Sequence, residues 1–253
     1  MAGRIRAVLR LTAVIVMTAL LVAPRLVLML LVPVAPRLER RLRRPFVLAW
    51  GYLAAPLMGM RLRVLGDIPK PPFFLVSNHL SYVDNFVLLG LTGGAFVARH
   101  DVRSWPGANI VALAANTIYI NRTRMRDTLR VGGEIRRELD RGMGIVVYPE
   151  ARTSPGREVR PFKSGLLEPA IEAGIPAHYC TIHYETFPGE PPASEVVCWY
   201  TSIGFLPHAM RLLALKGFTA TVTFGPEPIR AEDRKALAQS LHEAVVRQFT
   251  PVD

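Results

Sequence analysis

In the stretch VSNHLSYVDN (76–85), His79 stands five residues ahead of Asp84. These two side chains could do general-base chemistry together. Imidazole is the side chain that is both basic and substantially neutral near pH 7, so it can take a proton from a hydroxyl. A carboxylate on the other ring nitrogen fixes the tautomer and stabilises the imidazolium as it forms. A purely structural reading also exists. Ser81 and Asp84 have the spacing of a capping box, with Ser81 as the N-cap of a helix. Six histidines and seven aspartates in 253 residues give about 0.2 such spacings by chance, so the pair needs context.

The context is a frame of short strands alternating with helices from residue 62 onward. Strands are expected at 61–66, 72–77, 94–99, 116–121, 144–149, 175–184, 194–201 and 218–225. Several are continuous apolar runs, as strands buried on both faces should be. Helices are expected at 84–91, 106–115, 125–141, 164–173, 205–215 and 231–249. Glycines close the helix 125–141, and Leu237, Leu241, Val245 and Phe249 share one face of the last helix. The alternation predicts an α/β fold with a mixed, largely parallel sheet flanked by helices. His79 then falls just past the end of a buried strand, the edge at which open α/β sheets bind ligands. Three more polar clusters fall at comparable places: INRTR after the strand 116–120, YPEARTSPG after 144–148, and RPFKSG ahead of the next helix.

Charge and hydropathy set the N-terminal quarter apart. The net charge is +11 and half the residues are apolar, with a mean hydropathy of +0.24. Residues 1–63 hold eleven Arg and one acidic residue, Glu39, while the remainder is nearly neutral. The same quarter carries the apolar runs 11–23, 26–35 and 46–60, with five Arg packed into 36–45. Apolar segments flanked by arginines suit an anionic bilayer surface, where each basic residue contributes about 1 kcal/mol. Arginines lie on both sides of residues 11–34, so the positive-inside rule puts both flanks in the cytoplasm. The expectation is a membrane-associated helical hairpin over 1–60 on the cytoplasmic face of the inner membrane, ahead of a folded domain over 61–253. A nucleic-acid footprint would lie on the folded domain, which is near neutral, so nucleic acid is not an expected partner. A cleaved signal peptide lacks a clear small-x-small site. The thiols Cys180 and Cys198 are expected buried and reduced. His178, Cys180 and His183 make a poor metal cage, because 183 points away from the other two on a strand. GLTGG (90–94) lacks the Lys-Ser/Thr of a phosphate loop and reads as a turn.

In order and spacing, NHLSYVD (78–84), IYINR (118–122), YPEARTS (148–154), FKSG (162–165) and GIPAHYCTI (174–182) resemble the blocks of the lysophospholipid (1-acyl-glycerol-3-phosphate) acyltransferase family. One such motif is weak, but five in register are specific. The resemblance implies transfer of a fatty acyl group from acyl-CoA or acyl carrier protein to a lyso-lipid hydroxyl, with membrane lipids as partners and no metal or organic cofactor. It implies His79 as the base and Asp84 as its orienting carboxylate, with Ser81 left as the helix cap. It implies a headgroup pocket drawn from Arg122, Glu150, Arg152, Thr153, Ser154, Lys163 and Gly165. Tyr184, Trp199 and Tyr200 read as packing.

The chain departs from the family at one block. Where the family has Glu-Gly-Thr-Arg-Ser, this sequence has Glu150-Ala151-Arg152-Thr153-Ser154. The glycine is Ala151, and Thr153 stands where the phosphate-binding arginine is expected. Neighbouring residues on an extended segment point to opposite sides, so Arg152 does not simply replace it. The departure weakens the case for a phosphate-monoester acceptor and opens acceptors such as lyso-ornithine lipid, whose acyltransferases CWYTSIGFLPHAMRLL (198–213) loosely resembles. Two rivals are a non-catalytic lipid-binding protein of the same fold and a thioesterase in which water replaces the acceptor.

Overall fold

The computed structural model describes residues 1–104, 108–121 and 125–253. Two long helices lead, α1 (Ala2–Met29) and α2 (Pro36–Leu57). Pro36 opens α2, where a missing N–H costs nothing. Among the described residues seven strands follow: β1 (Met60–Leu65), β2 (Phe73–Ser77), β3 (Ala95–Arg99), β4 (Ile118–Ile120), β5 (Gly144–Val147), β6 (Ala177–Thr186) and β7 (Phe218–Phe224). Between and after them lie α3 (Val83–Thr92), α4 (Ala108–Ala114), α5 (Met125–Asp140), α6 (Glu168–Glu172), α7 (Ala193–Val196), α8 (Phe205–Ala214) and α9 (Arg234–Gln248).

The strands form one sheet in the order β1-β7-β6-β2-β5-β3-β4. Among the described residues only β6 and β7 pair antiparallel; the other five strand pairings are parallel. The expected mixed, largely parallel sheet is therefore what the chain forms. β2 and β5 sit in its middle, and every residue of both is buried. Their alternate side chains feed two cores. Phe73 and Leu75 face α1, α2, α3 and α8, while Phe74 and Val76 face α5, α6 and α9. The first core also takes Val47, Trp50, Ala54 and Met58 from α2, so the hairpin shares its apolar interior with the sheet.

Several boundaries differ from expectation. Residues 194–201 make no strand; α7 and an irregular segment lie there. Their apolar character comes from Val197 and Cys198 packing into the core, and a short apolar run does not distinguish strand from other buried backbone. The helix expected at 164–173 splits into a 3-10 turn, Ser164–Leu166, and α6. Pro169 in the first turn of α6 lacks the N–H needed to continue a preceding helix. The last helix starts later than 231, because Asp233 caps it by accepting the N–H groups of Lys235 and Ala236. Residues 106 and 107 of the helix expected at 106–115 lie outside the described residues. Thr92 ends α3 and Gly93 takes a left-handed conformation, so GLTGG is a helix terminus and turn.

Candidate active site

β2 and β5 are neighbours with Val76 beside Val147, so the segments leaving their carboxyl ends emerge side by side. From β2 come Asn78 and His79; from β5 come Tyr148, Pro149 and Glu150. Asn78 is buried and acts as a backbone mimic. Its Nδ2 donates to the Ile182 carbonyl at 3.0 Å, and its Oδ1 accepts the Ile182 N–H at 2.7 Å. The β6 edge stays satisfied while the main chain turns out of the sheet.

His79 is delivered by that turn. Its Nδ1 donates to Asp84 Oδ2 at 2.7 Å, and its side chain keeps 18% exposure while Asp84 is fully buried. With Nδ1 protonated by this contact, Nε2 carries the free lone pair. Oδ2 of Asp84 also accepts the N–H groups of Leu80 at 2.7 Å and Ser81 at 3.0 Å. Its Oδ1 accepts the Tyr184 hydroxyl at 2.7 Å. Four donors thus offset the cost of burying this charge and hold it rigid. The structural and catalytic readings of Asp84 do not exclude each other, because one oxygen serves both the loop N–H groups and the imidazole. Ser81 is corrected: its hydroxyl has no partner among the described residues, and the cap position of α3 falls on Tyr82. Only the carboxylate half of the capping box forms.

Tyr148 lies over the imidazole with ring centroids 4.0 Å apart and planes within 10°. Phe96 stacks behind it at 5.6 Å. The imidazole is therefore held by a hydrogen bond in its plane and an aromatic wall on one face. Burial drives the Tyr148 phenol well above its ordinary value, with Asp84 adding to the effect, so it stays neutral.

Glu150 knits the two segments together. Its Oε1 accepts the His79 N–H at 2.8 Å and its Oε2 accepts the Arg160 N–H at 3.1 Å. Burial pushes its carboxyl up to about 7, against the lowering pull of those two N–H groups. Its oxygens organise backbone. Ala151 follows at φ 66°, the left-handed region that explains a glycine at this point in the family block. Thr153 donates its hydroxyl to the Trp199 carbonyl at 2.5 Å, and the Trp199 N–H donates to the Leu80 carbonyl at 2.9 Å. Ser154 is buried; its N–H donates to the His79 carbonyl at 3.0 Å and its hydroxyl accepts the Gly156 N–H. Lys163 is tied in by its backbone, which donates to the Pro149 carbonyl at 2.9 Å, and its side chain is exposed. Gly165 is exposed in the following 3-10 turn. Arg152 is exposed, and Arg122 lies outside the described residues.

His79, Asp84, Glu150, Thr153 and Ser154 therefore share one hydrogen-bonded loop cluster at the carboxyl ends of β2 and β5. Sequence reasoning missed three contributors. Tyr184 was assigned to packing; it packs on Phe218 and also holds Asp84. Period-two alternation along β6 puts Tyr184 on the face of Cys180 and Ile182, a signal that it points toward α3. Nothing in the sequence marks Tyr148 as the partner of His79. Arg160 opens the RPFKSG cluster, but the family resemblance assigns it no role.

The arrangement can hold a neutral imidazole at a fixed tautomer, take a proton at Nε2 and return it. The acyltransferase family profile matches residues 60–183. A 1-acyl-sn-glycerol-3-phosphate acyltransferase of Neisseria meningitidis serogroup B is 30% identical over 211 residues, 82% of this chain and 81% of that protein. A lyso-ornithine lipid O-acyltransferase of Brucella abortus is 32% identical over 206 residues, 76% and 77% of the two chains. The crystal structure of the 1-acyl-sn-glycerophosphate (LPA) acyltransferase PlsC from Thermotoga maritima superposes with a TM-score of 0.69, covering 98% of this chain and 95% of that one. At 21% identity, that likeness establishes the fold.

Proposed function

The chain belongs to the acyltransferase family, and on that premise we propose that it esterifies the free hydroxyl of a lyso-lipid bearing an anionic group with a fatty acyl group from acyl-CoA or acyl carrier protein. The 2.7 Å contact between His79 Nδ1 and Asp84 Oδ2 carries this reading. His79 Nε2 takes the proton of the acceptor hydroxyl as its oxygen bonds to the thioester carbonyl carbon. The C–S bond then breaks, and the departing thiolate takes that proton back from the imidazolium. An ester and a free thiol result, with no acyl-enzyme. Asp84 supports the imidazolium without accepting its proton. Acid–base chemistry of this kind needs no metal or organic cofactor beyond the donor's carrier.

The relatives' names offer two acceptors, a 1-acyl-glycerol-3-phosphate and a lyso-ornithine lipid. The second is favoured by Thr153, whose hydroxyl is engaged by Trp199 where a phosphate-binding arginine would stand. Residues 1–60 hold the His79 site at the cytoplasmic face of the membrane and residues 61–253 carry the chemistry. This placement draws on the apolar, outward-facing surface of α1.

The test is acyl transfer by purified protein in liposomes, with a labelled donor, both acceptors and His79→Ala. Transfer to either acceptor that falls by about 10³-fold or more in the variant is expected. Donor hydrolysis indifferent to acceptor would identify a thioesterase. No transfer by folded protein, or transfer that survives His79→Ala, would overturn the proposal.

A further inference from the structure

The cation that should meet the acceptor's anion is not where the family block puts it. Thr153 occupies that place and gives its hydroxyl to the Trp199 carbonyl. Arg152, one position earlier, is exposed. Arg160 is different. It is partly buried, and its Nη1 is wholly buried with no partner among the described residues. A buried donor left unpaired costs about 1–3 kcal/mol, more when charged, so such a group calls for an acceptor.

Arg160 is also fastened to the catalytic loop. Glu150 accepts the Arg160 N–H on one oxygen and the His79 N–H on the other. One carboxylate thus spans the backbone of the base and the backbone of Arg160. The guanidinium lies near enough for its charge to act on Glu150, yet it forms no ion pair with that carboxylate among the described residues. Its Nη1 is left without an acceptor among the described residues. Glu150 is fully occupied in positioning, so it holds Arg160 beside the site without neutralising it.

Resting on the acyl-transfer reading above, we propose that Arg160 is the residue that binds the oxyanion of the lyso-lipid acceptor. The guanidinium fork matches two oxygens of either a phosphate monoester or a carboxylate. Both named acceptor classes carry such a group, and the contact fixes how far the reacting hydroxyl sits from His79. Rotation about the terminal side-chain bonds brings Nη1 to the ligand, while the backbone stays pinned by Glu150.

The experiment measures KM and kcat of the full chain in detergent micelles with three acceptors. These are lysophosphatidate, a lyso-ornithine lipid and monoacylglycerol, which has no anion. Arg160→Met keeps the apolar stem and removes the charge. Arg160→Lys keeps the charge and loses the fork. Arg157→Met, at an exposed neighbour, controls for net charge. The expected result is a roughly 10- to 100-fold rise in KM for the preferred anionic acceptor in Arg160→Met, with kcat changed less than threefold. Arg160→Lys recovers part of the loss, and monoacylglycerol and Arg157→Met show no such change. The acceptor whose KM moves tells phosphate from carboxylate. An unchanged KM in Arg160→Met, or an equal loss with monoacylglycerol, overturns the assignment while wild-type transfer leaves the enzyme reading intact. Wild-type protein that transfers to none of the three overturns both. If Arg160→Met fails to fold, Arg160→Lys with wild-type KM for the anionic acceptor is sufficient to reject it.

Discussion

At the scale of single residues, the site rests on two buried carboxylates with different tasks. Asp84 serves the imidazole; Glu150 ties the backbone of β2's exit to that of the loop after β5. Their environments differ in a way that reaches stability. Burial raises Glu150 from 4.5 to about 7, so the folded protein holds that proton more tightly than the unfolded chain. The stabilisation is complete below the unfolded value and is lost as pH rises through about 7, roughly 3 kcal/mol in all. Glu150→Gln imitates the protonated form at every pH. Its melting temperature relative to wild type should therefore climb by roughly 5–10 °C between about pH 5 and about pH 8. A constant gap would mean the two N–H groups keep the carboxylate ionised throughout. The His79–Asp84 pairing was legible because its spacing survives the fold as one loop and one helix turn. The glycine-to-alanine departure at Ala151 was legible too, but its cause was not. Only the backbone shows that this position adopts φ 66°, where a Cβ is strained by about 1–2 kcal/mol.

At the scale of elements, alternation and apolar runs revealed the sheet, and ambiguity concentrated where apolar residues lack regular backbone, as at 197–198. What sequence could not reveal is which helices touch. α2 and α3 meet at a pair of glycines: a Cβ added to Gly90 would stand 2.7 Å from the Gly51 carbonyl carbon and the Tyr52 nitrogen. A Cβ on Gly51 would stand 2.2 Å from the Gly90 nitrogen. Both neighbours are backbone and cannot rotate away. Gly90 sits about one and two-thirds turns beyond Asp84 on α3, so this crossing sets where the helix carrying Asp84 lies. Gly90→Ala gains about 1 kcal/mol of helix propensity but must push two helices apart, which costs more, about 1–3 kcal/mol or above. Its melting temperature should fall by several degrees. Gly133→Ala on α5 is the counterpart, since nothing lies within 4 Å of its added Cβ. That variant should hold or gain stability, by up to about 1 kcal/mol. If both glycines respond alike, close approach is not what Gly90 serves.

At the scale of the molecule, the charge asymmetry read from composition becomes a two-sided hairpin. Arg25 interrupts the apolar run, yet it is buried, bonded to Glu39 at 2.5 Å and to the Ala114 carbonyl at 3.1 Å. Glu39 is the lone acid among the first 63 residues, and this is its partner. A second buried pair, Arg43 with Glu138, fastens α2 to the end of α5 at 2.7 Å. Inward faces of the hairpin thus join the core and the ionic contacts, while Leu9, Val16, Leu20 and Val27 point outward from α1, each more than half exposed. Val16 and Leu20 are one helical turn apart on that surface. A carboxylate pushed into hydrocarbon costs about 2.5 kcal/mol or more, whereas the same carboxylate in water costs the fold almost nothing. Val16→Glu combined with Leu20→Glu should therefore cut co-flotation with anionic liposomes at least tenfold and leave the melting temperature in detergent within about 2 °C. Unchanged flotation would show that this stripe faces something other than lipid. A large drop in melting temperature would show that it packs against protein.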